Sequence, residues 1–229
     1  MKKLLSVMAV FLVAAVLAFP PTAHATITLR LSDGINPVVQ VADGDAADLN
    51  PLPGFITIFA SIGVWNSNVS TGYSNSPGAG GLASMDLNSQ DNSTGAGTLT
   101  LMVSDIGFAL PGTNIGSMNI GGTIGAVVGN QLTYAAYFDN ANGLFATPGG
   151  GSLGTLGPFG PGAFSGTTSG TGIMDNEFSL TEVVTIHHSG AGLTSFNAEL
   201  NVVPLPPTAL LLGGGLLGLV ALGWRRRRS

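Results

Sequence analysis

Between residues 26 and 203 the apolar side chains recur at every second position and keep no helical stripe beyond two turns. Ile27, Leu29 and Leu31 alternate with Thr28, Arg30 and Ser32, and Leu99, Leu101 and Val103 alternate with Thr100, Met102 and Ser104. Leu132, Tyr134, Ala136 and Phe138 repeat the pattern, as do Phe196, Ala198, Leu200 and Val202. A period of two sends alternate side chains to opposite faces of a strand, so each run offers one face to a core. Turn chemistry separates the runs: Asp33-Gly34, Asp43-Gly44, Gly121-Gly122, Gly129-Asn130, and glycine clusters at 78–81, 95–97 and 190–192. The expected fold is all-β, a single antiparallel β-sandwich or jelly-roll-like domain of nine to eleven short strands. Its 178 residues suffice for one sizeable core, and with no cysteine in the chain that core must hold without disulfides.

One interval breaks the rhythm. Residues 147–161 are mostly Gly, Pro, Ser and Thr, and are expected to be a flexible surface loop joining two halves of the sandwich. No repeat of fixed period marks a solenoid or propeller.

Charge narrows the partners. All twelve acidic residues lie within 26–203, where Arg30 is the only lysine or arginine, so this segment carries a net −11. Such a field repels nucleic acid and anionic headgroups, and nucleic acid is excluded as a partner. Neutral polysaccharide, amines and divalent cations remain compatible with it.

The two ends carry the strongest motifs. Residues 1–25 have Lys2 and Lys3, an apolar core over 4–19 and the small-x-small triplet Ala23-His24-Ala25. This is the pattern of a secretory signal peptide, with signal peptidase expected to cut after Ala25 and the mature chain to begin at Thr26. At the other end, Val203-Pro204-Leu205-Pro206-Pro207 precedes seventeen uncharged residues, 208–224, and then Arg225, Arg226, Arg227 and Arg228. Seventeen apolar residues are at the short limit for a transmembrane helix. Trp224 suits the lipid–water interface, and the arginines mark a cytoplasmic end.

Proline motif, span and basic terminus together resemble the PEP-CTERM sorting signal, in a variant where Leu205 stands in place of the usual Glu. The resemblance covers residues 204–229. It implies transient anchoring in the inner membrane of a Gram-negative bacterium, processing by an exosortase, and delivery to the cell surface or beyond. It also implies a link to exopolysaccharide, floc or biofilm formation. Residues 26–203 are then the exported domain.

Chemistry is harder to find. Asp43, Asp45 and Asp48 with Asn50 form a carboxylate-dense turn, but Ala47, Asp48 and Gly54 stand where an EF-hand needs a ligand, a Gly and a Glu. A solvated acidic loop is expected there, with no metal site. His187 and His188 are adjacent on a strand and must point to opposite faces. Glu182 shares a face with His188 but lies about 20 Å along the strand, and both histidines are expected at the surface. There is no Gly-x-Ser-x-Gly elbow, no phosphate-binding glycine loop and no cofactor motif. Asn68-Val69-Ser70 and Asn92-Ser93-Thr94 are glycosylation sequons by pattern alone. The leading expectation is therefore a non-catalytic sandwich of the extracellular matrix. The alternative is a carbohydrate- or calcium-binding lectin-like module, which would show an exposed aromatic row drawn from Trp65, Tyr73, Tyr134 and Tyr137. A hydrolase is the third reading and would need His187 or His188 gathered with a carboxylate in a pocket.

Overall fold

The computed structural model describes residues 27–205. In chain order the strands are β1 (Thr28–Ser32), β2 (Val39–Ala42), β3 (Phe55–Ile62), β4 (Trp65–Ser74), β5 (Ala83–Ser93) and β6 (Gly97–Phe108). They continue with β7 (Gly112–Ile124), β8 (Gln131–Asp139), β9 (Gly151–Phe159), β10 (Gly162–Met174), β11 (Phe178–His188) and β12 (Gly192–Pro204). Six of them form sheet I in the order β2-β1-β6-β11-β8-β9, and the other six form sheet II in the order β10-β7-β12-β5-β4-β3. Every pairing is antiparallel.

Alternation in the sequence becomes burial in the fold. From sheet I, Leu29, Leu31, Leu99, Leu101, Leu132 and Ile186 are fully enclosed, and Met85, Leu87, Ile120, Ala198 and Leu200 meet them from sheet II. Removing side chains of this size from water is worth about 1.5–3 kcal/mol each, which is what holds the two layers together without a disulfide. The turns at Gly34, Gly44 and Gly129 sit where the sequence puts them, at φ of 76°, 79° and 92°. Gly121-Gly122 is not a turn but lies inside β7, where a Cβ on Gly122 would stand 2.0 Å from the Ser195 carbonyl oxygen of β12. Proline- and glycine-rich composition was a poor guide in one place. Residues 151–159 are not a loop but strand β9, paired with β8 through two register shifts. Leu153 is fully buried, and Leu156 and Phe159 pack on the core. Glycine serves close packing here: a Cβ on Gly170 of β10 would stand 2.2 Å from the carbonyl oxygen of Leu153. With β9 included, the described residues form twelve strands rather than nine to eleven.

The outer faces of the two sheets differ. Residues 140–150 fold over sheet I: Phe145 donates its N–H to Ser104 Oγ at 3.0 Å, and Gly143 accepts the Ser179 hydroxyl at 2.7 Å. Arg30 stacks on Phe145 at 3.8 Å from its ring centroid. Ser104 and Thr181, on that outward face, are thereby buried. Sheet II carries no such cover among the described residues.

Candidate functional site

Despite register shifts where β4 pairs with β3 and β5, the registers of sheet II place residues from distant parts of the chain in rows. Thr167, Asn119, Glu199, Asp86, Tyr73 and Phe55 lie side by side across β10, β7, β12, β5, β4 and β3. A second row, four residues along on every strand but β4, where the bulge makes it five, consists of Ala163, Thr123, Ser195, Gln90, Asn68 and Phe59. Between them run Ser165, Gly121, Asn197, Asn88 and Thr71. At about 4.8 Å per strand, each six-residue row spans roughly 24 Å. A bulge between Val69 and Thr71 inserts Ser70 and lets β4 turn Tyr73 outward beyond it.

This face is polar, uncharged through its middle and internally tied. Ser70 donates to Asn88 Oδ1 at 2.6 Å, and Asn88 Nδ2 donates to Asn197 Oδ1 at 3.1 Å, linking three strands. Thr123 and Ser195 share a hydroxyl contact of 2.9 Å. The side-chain amides of Asn68, Gln90, Asn92 and Asn119 have no hydrogen-bond partner among the described residues, so both their donors and acceptors face solvent. Phe59, 69% exposed, borders a depression of about 470 Å³ with Asn66, Asn68, Gln90, Asn92 and Leu193. At the other end Phe55 and Tyr73 pack as a tilted pair, centroids 4.8 Å apart and planes at 35°, beside Asp86 and Glu199. Partial burial, and then the charge of Glu199, raise the Asp86 carboxyl above its ordinary value, with the Asn197 amide opposing. Asn201 donates to Glu199 Oε1 at 2.6 Å.

A second polar cluster lies inside the sandwich. His188 is fully buried, not at the surface as expected, because β11 points it inward between the sheets. Its Nδ1 meets Ser93 Oγ at 2.7 Å and its Nε2 meets Thr194 Oγ1 at 2.8 Å, while Trp65 packs against it, tilted by 39°, with ring centroids 4.7 Å apart. Burial, and then the neighbouring His187, hold its pKa below the usual value. His187 points the other way and reaches Thr98 Oγ1 at 3.2 Å, as adjacency on a strand requires. Asp91, cross-strand from Ser67 and Thr194, is also fully buried. Burial pushes its carboxyl up to about 7, against nearby Ser67 and Ser89, although neither carboxylate oxygen closes a hydrogen bond of good geometry. Glu182 accepts the Tyr134 hydroxyl at 2.5 Å, and burial pushes it up to about 8 despite that bond. These groups are sealed in the core. His188 is satisfied by two hydroxyls, and neither histidine hydrogen-bonds a carboxylate, so the catalytic gathering that a hydrolase needs is not formed by them.

The other residues singled out in the sequence find structural work. Asp45 Oδ2 accepts the Ala42 N–H at 2.8 Å, Asp43 Oδ2 that of Gly54 at 2.7 Å, and Asp48 Oδ1 those of Asn50 and Thr57 at 2.9 and 3.0 Å. The acidic turn thus ties the β2–β3 connection to the edge of β3. Trp65 and Tyr134 are core residues, so the row of indole and phenol rings that the lectin-like alternative would require does not form from them. Sequence reasoning missed Phe55 and Phe59 and the amides beside them. Their signal was the period-two run Asn88, Gln90, Asn92, matched by Asn66 and Asn68 on the preceding strand. Of the residues expected from the sequence to form a sorting motif, Val203 and Pro204 end β12, and the Leu205 N–H bonds to the Thr113 carbonyl at 2.9 Å. Ala23, Ala25, Pro206, the span 208–224 and Arg225 to Arg228 lie outside the described residues.

No family model matches the chain, and no curated protein does. Among solved structures, a carbohydrate-binding module in complex with β-1,4-galactotriose aligns at TM-score 0.32 and 6% identity, over 60% of this chain and 86% of its own. The adhesin domain of Epf from Streptococcus pyogenes aligns at 0.38 and 9%, over 78% and 61%. A mannan-recognising carbohydrate-binding module aligns at 0.29 and 12%, over 62% and 90%. TM-scores below 0.5 do not establish a common fold.

Proposed function

We propose that this chain is an exported, non-catalytic β-sandwich whose outer sheet II face binds neutral polysaccharide of the extracellular matrix. The carrying observation is the face itself, with free amides at Asn68, Gln90, Asn92 and Asn119 bordered by Phe59 and the Phe55–Tyr73 pair. Amides both donate and accept, which matches sugar hydroxyls, and aromatic rings offer flat apolar surface to the C–H face of a pyranose. The hydrogen-bonded chain Ser70–Asn88–Asn197 holds the face in place before any ligand arrives. The −11 balance of the exported segment steers the preference toward uncharged glycans. A PEP-CTERM-like tail, read by an exosortase after signal peptidase has acted, would deliver the domain to the surface and link it to exopolysaccharide or biofilm. The Leu205–Thr113 bond belongs to sheet II, so a cut that leaves the sheet intact falls C-terminal to Leu205.

Affinity electrophoresis of the full chain through gels containing a neutral galactan, a neutral mannan or anionic alginate tests this reading. Retardation is expected in at least one neutral gel and not in alginate. Phe59→Ala and Asn68→Ala should each weaken it about tenfold, the loss of one well-placed contact. Absence of retardation in every neutral gel, or equal retardation of both variants and the parent, would overturn the proposal.

A further inference from the structure

We propose that strand β10 is a self-association edge, pairing antiparallel with β10 of a second copy about a two-fold axis at Thr167. A sheet edge presents unpaired N–H and C=O groups, so each edge must be blunted or paired. Three of the four edges in this sandwich are blunted. β2 is only four residues long. β9 carries Pro158 and two register shifts. β3 is closed at Thr57, whose N–H goes to Asp48 Oδ1 and whose carbonyl accepts the Leu49 N–H.

β10 is different in each respect. It runs thirteen residues, Gly162–Met174, with no charge and no proline, and pairs with β7 through all thirteen without a register shift. In a segment of net −11 it is a long neutral stretch on which two copies can meet without opposing carboxylates.

The direction of its free backbone groups can be read from its neighbours. The Thr113 carbonyl bonds to Leu205, on the β12 side, so Thr113 turns away from β10. Its β10 partner, Ile173, correspondingly directs its own carbonyl away from β7, where Asn140 Nδ2 reaches it at 3.1 Å. Backbone groups alternate along a strand, so Ala163, Ser165, Thr167, Ser169 and Thr171 share this outward direction. Among the described residues nothing bonds to these five. Because Asn140 already occupies the Ile173 carbonyl, the free window is 163–171, symmetric about Thr167.

That symmetry selects the partner. In a two-fold pairing centred on Thr167, residue 163 meets 171, 165 meets 169, and 167 meets itself. Every pair then joins two residues whose N–H and C=O both point at the edge, giving up to about ten interchain hydrogen bonds. A one-residue slip would oppose outward groups to inward ones and make none. Ser165, Thr167, Ser169 and Thr171 also lie on one face, where Ser/Thr pairs hydrogen-bond across the new junction. A second copy of this chain therefore fits the edge with a register fixed by its own geometry, independently of glycan binding.

The chain has no cysteine, so single reporters are clean. Thr167→Cys in the full chain should give a disulfide-linked dimer on mild oxidation, since Cα atoms of a hydrogen-bonded pair lie about 5.5 Å apart. Ser117→Cys, on the same outer face of β7 but away from the edge, should not. The double variant Ser165→Cys with Ser169→Cys should cross-link too, and adding Thr167→Pro should abolish that cross-link. Proline at 167 removes only an outward N–H, so the melting temperature should hold, whereas Thr168→Pro removes a bond to β7 and should lower it. Three results would overturn the proposal. One is Thr167→Cys dimer no more abundant than for Ser117→Cys. Another is cross-linking that survives Thr167→Pro. The last is protection of the outward amides of Ala163, Ser165, Thr167, Ser169 and Thr171 in the dilute monomer, which would mean that the chain covers its own edge.

Discussion

The sandwich should be less stable at pH 8 than at pH 5, the reverse of the usual behaviour of carboxylates. Asp91 and Glu182 are buried with carboxyls pushed from about 4 in an unfolded chain up to about 7 and about 8. Between those limits the folded state binds a proton that the unfolded state has released. Stability therefore falls with rising pH, by a factor of ten in the folding equilibrium per unit for each group. From pH 5 to pH 7 each carboxyl removes roughly 3 kcal/mol, together a large share of the 5–15 kcal/mol typical of a domain. His188 acts in the opposite sense. Its lowered pKa makes its contribution complete above about 6.5 and progressively lost below, so the decline is steepest between about 6.5 and 7 and is carried by Glu182 alone from there to about 8. Urea titration of the full chain at half-unit steps from pH 5 to pH 8 measures the slope. Asp91→Asn and Glu182→Gln should each flatten it by one proton, and the double variant should be more stable than the parent at pH 8. A parent whose stability is level or rises from pH 6.5 to pH 8 would refute the reasoning, as would a double variant with the parent's slope.

Gly122→Ala should be severely destabilising, by about 3 kcal/mol or more as a backbone clash, because its Cβ would stand 2.0 Å from the Ser195 carbonyl oxygen; thermal melting reads this directly. Asp48→Ala should cost about 1–3 kcal/mol by leaving the N–H groups of Asn50 and Thr57 unmet, and calorimetry should show no micromolar calcium affinity in the parent for the variant to lose. N-terminal sequencing of membrane-extracted protein should begin at Thr26. Intact mass should show loss of residues 208–229 in cells that have an exosortase, and their retention when Pro204 and Pro206 are both alanine or the enzyme is deleted.

How much of this was legible in the sequence follows from what alternation can encode. Where both ends of a strand's inner face are apolar, as in Leu99, Leu101 and Val103, the period of two reads correctly and the residue is in the core. β5 is harder, because its inner face passes from Met85 and Leu87 to Ser89, Asp91 and Ser93, all buried. No hydropathy pattern marks those three as interior; only the facing His188 and Thr194 give the hydroxyls of that end their place. The surface assignment of His188 failed for the same reason. β9 failed for another: its glycines were read as freedom, whereas they permit contact between layers closer than any Cβ allows.

The candidate face was hidden for a reason that applies to sheets generally. Phe59, Asn68, Gln90 and Ser195 are separated by up to 136 positions in the chain, yet register makes them neighbours in one row. Each strand alone shows only that its outward positions are polar, as any solvated sheet face would be. What distinguishes this face is that the outward residues of β4 and β5 are amides in matching register, with aromatic side chains on β3 beside them. A one-residue slip of β4 would bury Asn66 and Asn68 and expose Trp65 and Val69, so the apolar partners on the inner side are what hold the amides outward. The core and the proposed binding face are thus two readings of one register, and a variant that shifts β4 should lose glycan retention and stability together.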